Sequence, residues 1–122
     1  MKILTRKENE IMDILWAAED ALSAQEICKR SKNFSIYSVQ QLLHRLLGLD
    51  FIQVDRIVQT EKTFSRLFKP AVSQAEYISF LLGDDNKNIS NLFCYFISKN
   101  KDKHTLGELQ KQIEERINEI GE

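Results

Sequence analysis

Ser35-Ile-Tyr-Ser-Val-Gln-Gln-Leu-Leu-His-Arg-Leu-Leu-Gly-Leu-Asp-Phe-Ile52 is the stretch whose reading decides the fold. Wound at about 100° per residue, it gathers Val39, Leu42, Leu43 and Leu46 on one stripe. Tyr37, Gln41, His44 and Arg45 fall on the opposite face. Ser35 has the hydroxyl to accept from a backbone N–H of the first turn, and Gly48 with the β-type run after Asp50 marks the stop. The outward face carries no acid. It offers Tyr37, Gln40, Gln41, His44 and Arg45, side chains that can hydrogen-bond base edges or phosphates. Such a face is also what a merely solvated helix would show, so its neighbours have to decide.

Upstream, Thr5-Arg-Lys-Glu8 and Ser23-Ala-Gln-Glu26 fit the capping box, in which a hydroxyl and a glutamate satisfy two helix-start N–H groups reciprocally. They predict a helix over about 6–18 burying Ile11, Met12, Leu15 and Trp16, and a second over about 24–31 burying Ile27 and Cys28. Phe34 is placed to staple the entry to the third. Three short helices with tight turns, the last amphipathic, describe a helix-turn-helix core. Downstream the period changes. Phe51-Ile-Gln-Val-Asp-Arg-Ile-Val58 and Thr63-Phe-Ser-Arg-Leu-Phe-Lys69 are β-type runs around the polar turn Gln59–Lys62, with Ile52, Val54 and Val58 available for one face, and Pro70 ends the second run. A hairpin straight after the third helix gives the order of a winged helix-turn-helix.

The rest of the chain reads as three more helices, two of them opened by the capping-box pattern in Ser73-Gln-Ala-Glu76 and Thr105-Leu-Gly-Glu108. Tyr77, Ile78, Leu81 and Leu82 group together, then Leu92, Phe93 and Phe96 with Ile89 and Ile97. Leu106, Leu109, Ile113, Ile117 and Ile120 form a narrow stripe on the last helix. So short a segment cannot bury this much apolar surface alone. It folds back on the winged helix or packs on a second copy, and the narrow stripe favours a homodimer. The expected architecture is mainly α, with a winged-helix domain over residues 1–71 and a helical dimerisation segment over 72–122.

Several function classes find no footing. There is no Ser/His/Asp arrangement, no phosphate-cradling glycine loop and no paired carboxylates in a cleft-forming context, so no enzyme is expected. Cys28 and Cys94 stand alone on different helices and read as buried free thiols, and isolated His44 and His104 offer no zinc site. No metal or cofactor is expected. With no long apolar run and no leader-like start in Met1-Lys-Ile-Leu-Thr5, the expectation is a soluble cytoplasmic protein without membrane insertion. A net charge of −1 is low for a nucleic-acid binder, so any DNA footprint must come from local placement and from two copies acting together.

Glu10-Ile-Met-Asp-Ile-Leu-Trp16, Ala24-Gln-Glu-Ile27 and Phe34-Ser-Ile-Tyr-Ser-Val-Gln-Gln-Leu-Leu-His-Arg-Leu46, in that order, resemble the penicillinase repressors, the BlaI/MecI group with its copper-responsive CopY branch. The similarity continues more weakly through Phe51-Ile52, Leu92-Phe-Cys-Tyr-Phe96 and the last helix. It implies a dimeric winged-helix repressor with a helical C-terminal dimer segment. It further implies a membrane sensor-protease as a partner, with cleavage matching the Tyr95–Phe96 bond, where the family pattern has Asn before the Phe. Copper-responsive members carry paired cysteines near the C-terminus, which this chain lacks. Lys and Thr of the family are replaced by Tyr37 and Gln41, Lys-Lys-Gly by Gly48-Leu-Asp50, and the segment between Phe51 and Pro70 is longer. Each missing phosphate contact lowers affinity and flattens the salt dependence by about one unit of slope.

The resulting expectation is a homodimeric repressor that binds a pseudo-palindromic double-stranded operator, one half-site per subunit. Tyr37, Gln40, Gln41 and His44 would contact the major groove, with Gln41 a possible bidentate reader of adenine. Ser35 opens this helix. Ser38 either donates to phosphate or bonds its own backbone, and Arg45 either binds phosphate or pairs with Glu8. Arg56, Lys62 and Arg66 are wing contacts, or charges that guard a strand edge. The rival is a winged-helix protein interaction module that has lost specific DNA binding.

Overall fold

The computed structural model describes residues 1–121 and divides the chain into two compact units, Met1–Leu81 and a second that begins at Leu82. The first unit therefore runs to Leu81 rather than stopping at residue 71, because the fourth helix is anchored in its core.

Helix α1 (Arg6–Ala17) starts with the capping box foreseen at Thr5 and Glu8. Strand β1 (Leu22–Ser23) leads into α2 (Ala24–Arg30), capped by Ser23 and Glu26. Helix α3 (Ile36–Gly48) begins at Ser35, whose Oγ accepts from the Ser38 N–H at 3.1 Å. Its end is not made by Gly48, which is still helical. Asp50 turns the chain in the left-handed region, at φ 61°. Its N–H donates to the Leu47 carbonyl and the Phe51 N–H donates to the Leu46 carbonyl, the paired bonds of a Schellman stop. That turn drops Phe51 and Ile52 into the core as the chain enters β2 (Ile52–Gln59).

Strands β2 and β3 (Phe64–Pro70) form an antiparallel hairpin, and β1 adds to the far side of β3, giving the order β1-β3-β2. A register shift between Val54 and Arg56 leaves a bulge at Asp55. It interrupts the alternation expected of Ile52, Val54 and Val58: Ile52 is buried, whereas Val54 and Val58 are exposed. Two strand residues at β1 carry no periodic signal, so this strand was invisible in the sequence. The order α1-β1-α2-α3-β2-β3 with a small antiparallel sheet matches a winged helix.

The core joins Ile11, Met12 and Leu15 of α1, Ile27 of α2 and the inner stripe of α3 with Phe51 and Phe68. Each such side chain contributes about 1.5–3 kcal/mol relative to exposure. Helix α4 (Gln74–Leu82), opened by reciprocal Ser73–Glu76 bonds, adds Tyr77. Its ring packs on Trp16 and edge-on to Phe51, and its Oη accepts from the Leu4 N–H at 2.8 Å. Trp16, expected to be buried, is half-buried against this core and donates from Nε1 to the Val72 carbonyl. Tyr77 thus belongs to this core and not to a dimer surface.

In the second unit, Gly83 adopts φ 76°, a conformation that costs glycine little and ends the preceding helix. Helix α5 (Asn86–Lys99) is capped by Asp85 and α6 (Lys103–Ile120) by Asp102. The cap foreseen at Thr105 is displaced: Asp102 lies upstream, and the Thr105 hydroxyl donates to its carboxylate at 2.8 Å. No residue of α5 or α6 is buried. Cys94 is exposed and Cys28 half-buried, both as free thiols. Among the described residues no helix is long and apolar enough to cross a membrane.

Candidate nucleic-acid interface

Burying Val39, Leu42, Leu43 and Leu46 fixes the rotation of α3 and leaves Tyr37, Gln40, Gln41, His44 and Arg45 facing out. Tyr37 is 67% exposed. Among the described residues, the side chains of Tyr37, Gln40, Gln41 and His44 make no hydrogen bond within the chain, so their donors and acceptors are available to a partner. Ser35 and Ser38 are different. The Ser35 hydroxyl donates to Ser38 Oγ at 3.1 Å while accepting from the Ser38 N–H, so both hydroxyls serve the helix start.

Arg45 leaves this face toward α1. Its Nη1 lies 3.7 Å from Oε2 of Glu8, a fully buried carboxylate whose other oxygen is 3.2 Å from Lys2 Nζ and accepts the Thr5 N–H. The Glu8 Oε2 atom has no hydrogen bond, and the Arg45 guanidinium is the cation beside it. Of the two roles open to Arg45, the ion pair is the one seen, although its side chain keeps 56% exposure. Burial pushes the Glu8 carboxyl up, but the Thr5 N–H, the Lys2 ammonium and the Thr5 hydroxyl together outweigh it and hold the group below its ordinary 4.5. A depressed carboxyl contributes stability that is fully present above the unfolded value and fades as pH falls through the folded one. Urea midpoints of the wild type should therefore drop relative to Glu8→Gln as pH falls below 4.5. Parallel midpoints across that window would mean that the Glu8 charge contributes nothing.

The hairpin presents three different situations. Arg56 is tied to Asp55 at 2.6 Å, and Lys69 reaches the same carboxylate at 3.1 Å. The Lys69 contact, with Arg56, holds the Asp55 carboxyl low. Arg66 lies over the Phe68 ring at 5.2 Å, and Lys62 stands exposed on the turn with no ion pair among the described residues. A groove of about 280 Å³ runs between the wing and the helices. Ser23 with Ala24 and Gln25 of α2 and Ile36, Gln40 and Leu43 of α3 form one side, and Thr63–Arg66 with Phe68 form the other. Phe64 and Ile36 were not among the candidates read from sequence. The alternation Phe64, Arg66, Phe68 was the signal that could have placed Phe64 on the helix-facing side.

In the second unit, Leu92, Phe93 and Phe96 of α5 and Ile113 and Ile117 of α6 are 45–56% exposed, while Leu106 and Leu109 are half-buried. Leu81, at the end of the first unit, is also 50% exposed. Leu106, Leu109 and Ile113 line a groove with Ile97. The Tyr95–Phe96 bond lies inside α5, with the Tyr95 carbonyl accepting from Ser98 Oγ, so a protease would have to unwind the helix to reach it. Among the described residues no group of three or more His, Cys, Asp or Glu side chains is placed to hold a metal ion.

The first unit thus has the outline of a winged-helix module whose third helix turns an acid-free polar face outward. No family model matches the chain, and no curated protein matches it. Among solved structures it is similar to the ferric uptake regulator Fur of Helicobacter pylori, at 27% identity and a TM-score of 0.44. That similarity covers 57% of this chain and 47% of the Fur chain, so the chain spans about half the length of that regulator.

Proposed function

We propose that the protein is a homodimeric, non-enzymatic transcriptional repressor that reads a pseudo-palindromic operator through α3 and the wing. The observation that carries this is the face of α3: exposed, free of acids, and lined by Tyr37, Gln40, Gln41 and His44 with unused hydrogen-bonding groups. A solvated helix in a chain with 18 acidic residues would be expected to place some of them there. Gln41 is the reader of adenine in this reading, since a carboxamide can pair with N6 and N7 together. Tyr37 and His44 flank it. Lys62 and Arg66 supply backbone contacts from the wing, and Arg56 contributes less because Asp55 already neutralises it.

Two subunits are part of the proposal because one module of near-zero charge has too few phosphate contacts for tight binding. The exposed apolar residues of α5 and α6 supply the surface for the second copy. On α6 they recur at the three- and four-residue spacing of a helix–helix seam. The resemblance to the penicillinase repressors fits the same assembly, though this reading includes no protease step.

Fluorescence anisotropy of the full chain on its own upstream DNA, with unrelated duplex as competitor, tests it. Specific binding should exceed competitor by at least about 10³-fold. Gln41→Ala should cost about 1–3 kcal/mol and relax selectivity at one base pair per half-site without changing the salt slope. Equal loss on every sequence would assign Gln41 to the backbone. If neither duplex binds, a protein interaction module built on the same fold becomes the better reading.

A further inference from the structure

We propose that Phe64 is a minor-groove wedge, entering beside the half-site read by α3 at a flexible pyrimidine–purine step. The inference rests on the DNA-binding reading and adds a second point of sequence discrimination to it. Phe64 is 72% exposed, more than any other large apolar side chain among the described residues. Its backbone is held by the hairpin. Phe64 pairs with Gln59 at the last rung of the hairpin, and Thr60 closes the turn by donating from its N–H and its hydroxyl to the Thr63 carbonyl. A strand whose backbone is paired before binding has less freedom to lose when its side chain is inserted.

Its surroundings indicate the occupant. Phe64 and Arg66 form one wall of the groove whose other wall is Ile36 and Gln40 of α3. The wing and the reading helix therefore share one continuous surface, and a duplex seated on α3 meets the ring. Lys62 and Arg66 lie two residues to either side of Phe64 in sequence, so the segment that carries the ring also carries cations suited to the sugar–phosphate strands that border a minor groove. Apolar wedges flanked by basic groups are the usual means of unstacking a step there, and pyrimidine–purine steps resist least. A small-molecule ligand fits less well, because among the described residues no buried charged group faces the groove to orient one.

Selection from a random duplex library with the full-length wild type provides the DNA on which Phe64→Ala and Phe64→Leu are compared. 2-Aminopurine, substituted at the adenine of the flanking step, reports unstacking. The wild type should raise its fluorescence. Phe64→Ala should abolish the rise, bind about 10-fold more weakly and lose preference at that step while keeping the bases read by α3. Phe64→Leu should retain part of each effect. Unchanged affinity and flanking preference in Phe64→Ala, or no unstacking by the wild type, would overturn the wedge while leaving operator reading intact. A wild type that enriches no sequence would overturn operator reading, and the wedge with it. Because the ring is exposed, circular dichroism of both variants should match the wild type.

Discussion

Tyr77→Ala is expected to lower the stability of the first unit by about 3–5 kcal/mol, the cost of removing a buried aromatic ring. The side chain is 5% exposed, and truncation would open a void between Trp16 and Phe51. For a unit of this size, such a loss is comparable with the whole stability of about 0.05–0.15 kcal/mol per residue. Tyr77→Phe keeps the ring and removes only the acceptor of the Leu4 N–H. Its cost should be about 1–3 kcal/mol, that of one buried donor left unsatisfied. Urea unfolding followed through Trp16, the only tryptophan, reads both, since Tyr77 packs against it. Both losses should be independent of protein concentration. A loss that appeared only on dilution would return Tyr77 to a subunit interface and contradict its place in the core.

Ile113→Glu should act in the opposite way, leaving the fold intact and dissociating the proposed dimer. Ile113 is 52% exposed, and a surface substitution usually changes stability by less than about 0.5 kcal/mol. Against a second copy it would bury a carboxylate in the seam of Leu106, Leu109, Ile117 and Ile120 with no partner. Once the subunits separate, the second half-site is no longer delivered at high effective concentration. Affinity for a two-half-site duplex should fall by about 10²–10⁴-fold, while urea unfolding of the first unit stays as it was. Sedimentation velocity beside the binding titration separates the two effects. An unchanged sedimentation coefficient would show that α6 does not form the dimer.

What the sequence revealed, and what it hid, follows from the range of the interactions involved. The rotation of α3 was legible because four apolar residues at helical spacing leave only one way to bury them. The caps at Thr5, Ser23 and Ser73 were legible because a capping box closes within four residues. The same motif misled at Thr105, where Asp102 upstream competes for the helix start with the same chemistry. Long-range contacts were hidden. Nothing local announces that two residues at Leu22–Ser23 pair with Phe68 and Leu67, or that Tyr77 reaches back to Leu4. Spacing placed Tyr77 correctly on an apolar stripe but could not say which surface that stripe covers. On the candidate interface, periodicity found the outward residues of α3, whereas the fate of the cations depended on tertiary neighbours. Arg45 is drawn to the buried Glu8, Arg56 to Asp55 at the bulge, and Lys62 has no ion pair among the described residues. The β-type run around Phe64 was legible, but its exposure was not, because sequence cannot show how far a hairpin residue stands from the helices it faces.

The most direct test of operator reading is the selection from random duplexes, carried out with the full-length chain at near-physiological salt. The enriched sequences should contain an inverted repeat whose half-site centres lie about one helical turn, or a multiple of it, apart. Two subunits should saturate each duplex, and Gln41→Ala should blur one position in each half. Enrichment of no sequence, or of a single site bound by one subunit, would contradict a two-fold regulator acting through α3.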